Sequence, residues 1–126
     1  MKNEIKELSF AFSLGILKHH NKLVKQCMST LGLQLLRSGT AVGALYREAQ
    51  YAQSRADFIN KLSIARKECN ECIYWLDLLH ECGFIELMDY TQLSKQAKSL
   101  LNLLTAIIQT TRSNTPKPTP RPIRNL

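Results

Sequence analysis

Cys69 and Cys72 stand three residues apart in a 126-residue chain. That spacing serves metal ligation or thiol–disulfide exchange when it falls in a turn or at a helix N-terminus, where backbone N–H groups lower the thiol pKa. Cys27 and Cys82 would complete a four-thiolate zinc set. The surrounding pattern favours a duller role. Phe58, Leu62, Ala65, Cys69, Cys72, Leu76 and Leu79 follow one another at steps of four and three, which places both thiols mid-helix on one apolar seam. Small buried hydrophobes are what such positions ask of cysteine. His19 and His20 are adjacent and so point about 100° apart, unable to face one partner together. His19 falls on the apolar line of its helix, and His20 and His80 fall outside theirs. Glu48 has Arg47 or Arg55 as a partner, and Asp57 has Lys61 four residues on, ordinary helix-surface pairings. No phosphate-binding loop, nucleophile elbow or zinc-protease motif is present. The reading is of a protein with no catalytic residue, no metal site, no cofactor and no small-molecule substrate.

The elements that carry these residues are helices. Ile5, Leu8, Phe12, Ile16 and Leu23 recur at helical spacing over residues 3–24. Lys25-Gln26 makes a turn, and Ser29 or Thr30 is a suitable N-cap for a second helix running to about residue 53. Its stripe is Leu31, Leu35, Ser38, Val42, Leu45, Ala49 and Ala52. Ser54 caps a third helix that Gly83 stops. A fourth covers residues 91–111, with Leu93, Ala97, Leu100, Leu104 and Ile107 on one face. Short turns make sequential helices antiparallel neighbours, so the chain is expected to be all-α, an antiparallel up-down-up-down four-helix bundle over residues 1–111. Residues 112–126, with Pro116, Pro118, Pro120 and Pro122, are expected to form an extended, disordered tail, since each proline removes a backbone donor.

A bundle helix in a monomer needs one apolar stripe, and two of these helices have two. On the third, Ile64, Glu71, Trp75, Leu78 and Cys82 form a line about 100° from the main seam. On the second, Leu33, Arg37, Thr40, Ala44 and Tyr51 lie far from Leu31 and Val42, and small residues there (Thr40, Gly43, Ala44) would admit another helix. Two aligned outer seams imply a homo-oligomer, because monomers rarely expose such patches; the competing reading is scattered surface residues.

Charge is placed unevenly within the net +7. Residues 1–67 carry 11 basic and 4 acidic side chains, residues 68–111 carry 2 and 6, and the tail carries 4 basic and none acidic. In an antiparallel bundle one end gathers Lys2, Lys6, Arg47, Arg55, Arg112 and the tail's Lys117, Arg121 and Arg124, partly offset by Glu4, Glu7, Glu48 and Asp57. Such an end suits phosphates; a solvated surface with a soluble tail explains it equally. No apolar run approaches the roughly 20 residues that span a bilayer, and no signal-peptide pattern opens the chain. With cysteines read as reduced thiols, the expectation is a cytoplasmic protein without membrane partners.

Three segments carry a family resemblance: QLLRSGTAVGALYREA at 34–49, SRADFINKL at 54–62 and KECNECIYWL at 67–76. Together they resemble the four-helix-bundle proteins encoded by intervening sequences in bacterial 23S rRNA genes. Ala41-Val42 stands where Ser-Ile is frequent, and Cys69 and Cys72 where Ala and Thr are frequent. The resemblance implies a left-handed bundle, assembly as a ring, typically a pentamer, and no catalytic activity. Relatives include the accessory protein of diversity-generating retroelements, which resembles a basic ring binding nucleic acid and a reverse transcriptase. The expected function is therefore a non-enzymatic homo-oligomeric module that binds rRNA or other nucleic acid non-specifically through its basic end. The alternative is a protein-interaction scaffold or accessory subunit of a nucleoprotein complex, with no nucleic-acid binding of its own.

Overall fold

Ser54 starts a helix because its side chain replaces a bond the backbone cannot make for itself. Its Oγ accepts from the Asp57 N–H at 3.0 Å, and Asp57 Oδ2 accepts from the Gln53 N–H at 3.2 Å, a reciprocal arrangement close to a capping box. In the computed structural model, which describes residues 2–25 and 29–114, four helices result: α1 (Lys2–Lys25), α2 (Ser29–Ala49), α3 (Arg55–Glu81) and α4 (Leu87–Ser113). Gly83 ends α3 in the left-handed region at φ 76. The Phe84 N–H returns to Leu79 O at 2.9 Å and the Gly83 N–H to His80 O at 3.1 Å, the paired bonds of a Schellman stop.

Three boundaries differ from the sequence reading. α2 ends at Ala49 rather than near residue 53. There the Tyr51 and Ala52 N–H groups bond to Glu48 O and Ala49 O, three residues back; the winding tightens and stops, because the chain must turn extended at Ser54. α4 begins at Leu87, a turn earlier than Thr91. Thr91 sits inside the helix, its hydroxyl donating to Leu87 O at 2.7 Å, so it is no boundary residue. α4 also continues to Ser113, which puts Arg112 on a helix. α2 is already helical at Ser29, and the turn at Gln26 and Cys27 lies outside the described residues.

Contact order establishes the topology. Ser9, Ile16 and Leu23 of α1 lie against Gly43, Gly39 and Gly32 of α2, in reverse sequence. Ser38 and Glu48 of α2 meet Cys72 and Lys61 of α3. Arg55, Cys69 and Asp77 of α3 meet Asn114, Ala97 and Tyr90. α4 returns to α1, with Leu93 against Gly15. Each helix packs on its two sequence neighbours in a closed cycle, and α1 and α4 complete the square. This is the antiparallel four-helix bundle that the periodicity implies.

Leu62, Ala65, Cys69, Cys72, Leu76 and Leu79 of α3 are fully buried, with Ile5, Phe12, Ile16, Val42, Leu100, Leu104 and Ile108 around them. Phe58 and Leu45 are only half-buried, packed against this core. Tyr46, absent from the expected stripe, is in it. Burial of such side chains is worth about 1.5–3 kcal/mol each.

Gly39 is required by close approach. A Cβ there would stand 2.9 Å from Ile16 Cγ1 and 3.2 Å from Cγ2, whereas at Gly43 it would meet Ser9 at an ordinary 3.4 Å. Gly39→Val is expected to cost about 1–3 kcal/mol through overpacking, read as a lowered urea midpoint with an unchanged slope. Gly43→Ala is expected to be neutral or stabilising by up to about 1 kcal/mol, since the helix gains over glycine.

Candidate functional site

The side chains that could do thiol or metal chemistry are committed to the core. Cys69 Sγ donates to Ala97 O at 3.1 Å and Cys72 Sγ to Ser38 Oγ at 3.1 Å. Ser38 passes its own proton to Gln34 O at 2.8 Å. Burial pushes both thiols up to about 12, and at Cys72 the hydrogen bond shared with Ser38 acts in the opposite direction. They hold their protons at any physiological pH and link α3 to α4 and to α2. Cys82 is an exposed free thiol at the α3 C-cap, and Cys27 lies outside the described residues. Among the described residues no group of three or more His, Cys, Asp or Glu converges in metal-binding geometry.

The outer seam on α2 and α3 is organised around an arginine. Arg37 reaches from α2 to two carboxylates of α3, its Nη1 donating to Glu68 Oε2 at 3.0 Å and its Nη2 to Glu71 Oε1 at 2.8 Å. The Glu68 charge is the main reason its pKa rises above the ordinary value. Glu71 Oε1 also accepts from the Trp75 indole Nε1 at 3.1 Å, and the Trp75 ring meets Tyr74 edge-on at 5.2 Å between centroids. The guanidinium thus orients the indole through a shared carboxylate. Trp75 and Leu78 are half-buried, with Trp75 packed against the core; Leu33, Ala44 and Ile64 are exposed. Thr40 is half-buried and its hydroxyl donates to Leu36 O at 2.7 Å.

Two expected members of that seam are placed otherwise. Tyr51 is 85% exposed but stands in the turn after α2, so it does not extend the helical line. Gly43 faces Ser9 of the chain's own α1: its small size serves packing inside the bundle. One strip was not picked out from the sequence at all. Phe10, Leu14 and Leu17 on α1 are 60%, 45% and 46% exposed. Their four-and-three spacing is the signal that could have found them.

The basic end takes its shape from one contact. Arg55, the first residue of α3, donates from Nη1 to Asn114 O at 2.7 Å, so the start of α3 is tied to the C-cap of α4. Arg47 and Arg112 are exposed in the last turns of α2 and α4, where cations complement the helix dipole. Lys6 is exposed on α1. Lys2 begins α1 without a described side chain, and Lys117, Arg121 and Arg124 lie outside the described residues. Glu48, suggested as a partner of Arg47 or Arg55, pairs instead with Lys61 at 3.5 Å, and Asp57 serves the α3 cap.

At the opposite end Asp89 sits between His19 Nε2 at 3.6 Å and Lys22 Nζ at 3.7 Å. Burial lowers the His19 pKa below 6.5, with Asp89 pulling the other way. These three line a cleft with Leu23, Phe84, Ile85 and Glu86. Tyr90 donates to Asp77 at 2.6 Å and stacks on His80 at 4.1 Å. Among the described residues no helix is long and apolar enough to cross a membrane.

The model of the 23S rRNA-intervening sequence protein family matches residues 1–106. A solved structure from Bacteroides thetaiotaomicron, a protein of unknown function from the S23 ribosomal protein family, is 44% identical. The likeness covers 86% of this chain and 99% of that one, with a TM-score of 0.83. Among curated proteins there is no match.

Alkylation of the folded protein at pH 8, mapped by mass spectrometry, should mark Cys82 quickly and leave Cys69 and Cys72 unmodified until the chain unfolds. The raised folded pKa of these two thiols also sets a pH dependence. Their contribution is intact below about pH 9, the unfolded thiol value, and stability declines above it, as the unfolded chain gives up protons that the folded chain keeps. Replacing both by Ala should flatten urea midpoints measured between about pH 9 and pH 10.5.

Proposed function

The chain belongs to the 23S rRNA-intervening sequence protein family, and from that premise we propose that it is a non-catalytic, self-associating module, pentameric and cytoplasmic, whose tail-bearing end binds RNA without sequence preference. The observation that carries this reading is the convergence of Arg47, Arg55 and Arg112 from three helices onto one end, with Arg55 bonded to Asn114 at the C-cap of α4. Three separate elements supply cations where the fold brings their ends together, and no single helix face would do so.

Assembly multiplies the effect. Copies related by rotation set their basic ends on one rim, and the attraction for phosphates grows with each copy. The exposed Leu33 and Ile64 beside the Arg37–Glu71–Trp75 cluster support self-association, since aromatic and arginine side chains are favoured at interface centres. Among the described residues, the reactive side chains give catalysis no support. The Cys69 and Cys72 thiols keep their protons, and Glu48, Glu68, Glu71, Asp77 and Asp89 are engaged in structural contacts. Tyr51 is exposed in the turn between Arg47 and Arg55; with a single aromatic side chain in that turn, backbone charge more than base stacking would govern affinity.

Gel shift at low salt against rRNA fragments is the test. Binding should weaken steeply with salt, and each of Arg47→Ala and Arg112→Ala should reduce the slope of log K against log salt by roughly 0.7–0.9. If neither the full chain nor one truncated at Arg112 shifts RNA, while a protein co-purifies from the native host, the reading gives way to a protein-interaction scaffold.

A further inference from the structure

We infer that the ring of Tyr51 stacks on an unpaired base, so that the RNA taken by the basic end is single-stranded. The inference rests on the RNA-binding reading above and names the form of RNA. Tyr51, at 85%, is the most exposed large apolar side chain among the described residues, and its side chain has no hydrogen bond or ring partner among them. One exposed apolar residue is ordinary on a protein surface. What sets this one apart is its mounting. The Tyr51 N–H donates to Glu48 O at 3.0 Å, and on either side the Gln50 and Ala52 N–H groups donate to Arg47 O at 3.2 Å and Ala49 O at 3.1 Å. Three residues on, the Ser54 cap fixes the chain again. The turn is held by its backbone and needs nothing from the ring. Tyrosine also has only two side-chain torsions to order, so a ligand that covers the ring loses little of its gain to entropy.

Cations flank the ring on both sides. Arg47 stands four residues before Tyr51 and Arg55 four residues after it, so each backbone lies within about 14 Å of Tyr51 whatever the path of the chain. Neither arginine forms an ion pair among the described residues. The acids of the same turn are engaged elsewhere, Glu48 with Lys61 and Asp57 with the Gln53 N–H. Glu4 and Glu7 belong to α1, where Lys6 accompanies them, and α1 packs on α2 and α4 but not on α3. The bond from Arg55 to Asn114 O brings the end of α4 beside the start of α3, and exposed Arg112 stands two residues before Asn114.

An open aromatic face between guanidinium groups matches a single strand. The arginines take phosphates while a base lies on the ring, and every base has a face to offer, so the contact stays indifferent to sequence. A duplex offers the same phosphates, but its base faces are covered by neighbouring pairs. Uncovering one costs unpairing and unstacking. Charge therefore holds either form, and Tyr51 adds to the hold on the single strand alone.

Three labelled RNA probes test this by fluorescence anisotropy at one low salt concentration, using the full chain. They are an unstructured strand of about 12 nucleotides, the same sequence as a blunt duplex, and a strand of equal length whose bases are replaced by abasic sites. Tyr51→Ala should weaken binding of the base-bearing strand roughly 5- to 10-fold, the low end of what stacking gives, since one ring takes one base. The duplex and the abasic strand should bind as they do to the wild type. Tyr51→Phe, which keeps the ring, should bind all three like the wild type, and Arg47→Ala should weaken all three. Circular dichroism and light scattering check that each variant keeps the wild-type fold and mass. If the wild type binds RNA and Tyr51→Ala binds the base-bearing strand equally well, stacking is overturned and the RNA reading stands. An equal loss on the abasic strand also overturns it, as does a changed mass in Tyr51→Ala, which would place the ring in a contact between copies. A wild type that binds none of the three probes removes the RNA reading and the inference with it.

Discussion

The seam of α3 from Leu62 to Leu79 has no solvent-exposed residue along nearly five turns, and the rest of the molecule is arranged by what covers it. Steps of four and three keep this line on one side of the helix, so the other helices must lie against that side. α2 and α4 take the flanks, and α1 closes the square opposite. The two thiols on the line do the finer work: each spends its S–H on a different neighbour, Cys72 on Ser38 of α2 and Cys69 on Ala97 of α4. A buried donor without an acceptor would be costly, so these bonds also hold the register of the flanking helices.

Close contact between α1 and α2 has a different origin. Gly32 and Gly39 let Leu23 and Ile16 approach the α2 backbone, which leaves the side chains of α1 opposite those contacts with nothing among the described residues to cover them. Phe10, Leu14 and Leu17 are exposed for that reason. The surface therefore has unlike faces: an apolar strip on α1, a mixed seam on α2 and α3, a basic end and a more acidic end. Unlike faces of this kind are where partners would be recognised.

The charged residues resolve into local partnerships that temper the basic net charge. Arg37 is held by Glu68 and Glu71, Lys61 by Glu48, and Lys22 by Asp89. Such exposed pairs stabilise a fold only modestly, so their importance here is positional. Arg37 fixes Glu71, and Glu71 fixes the Trp75 indole. Arg55 is engaged too, but with a backbone carbonyl, and a neutral partner leaves its positive charge uncancelled at the end where it stands.

Residue order alone determined the four helices, their antiparallel course, the α3 seam with both cysteines in it, the Ser54 cap and the Gly83 stop, because periodicity, capping and left-handed turns are properties of a few neighbouring residues. It also carried the family resemblance, since the motifs at 34–49, 54–62 and 67–76 lie on α2 and α3. Tertiary structure decided what depends on distance across the bundle. Whether Gly43 serves a neighbouring copy or the chain's own α1 depends on how closely α1 approaches. Whether Glu48 pairs with Arg47, Arg55 or Lys61 depends on how α2 and α3 lie side by side. Helical spacing marks Phe10, Leu14 and Leu17 as sharing a face, but only the packing of α1 on α2 and α4 shows that the face points outward: a stripe has a direction only once its helix has neighbours.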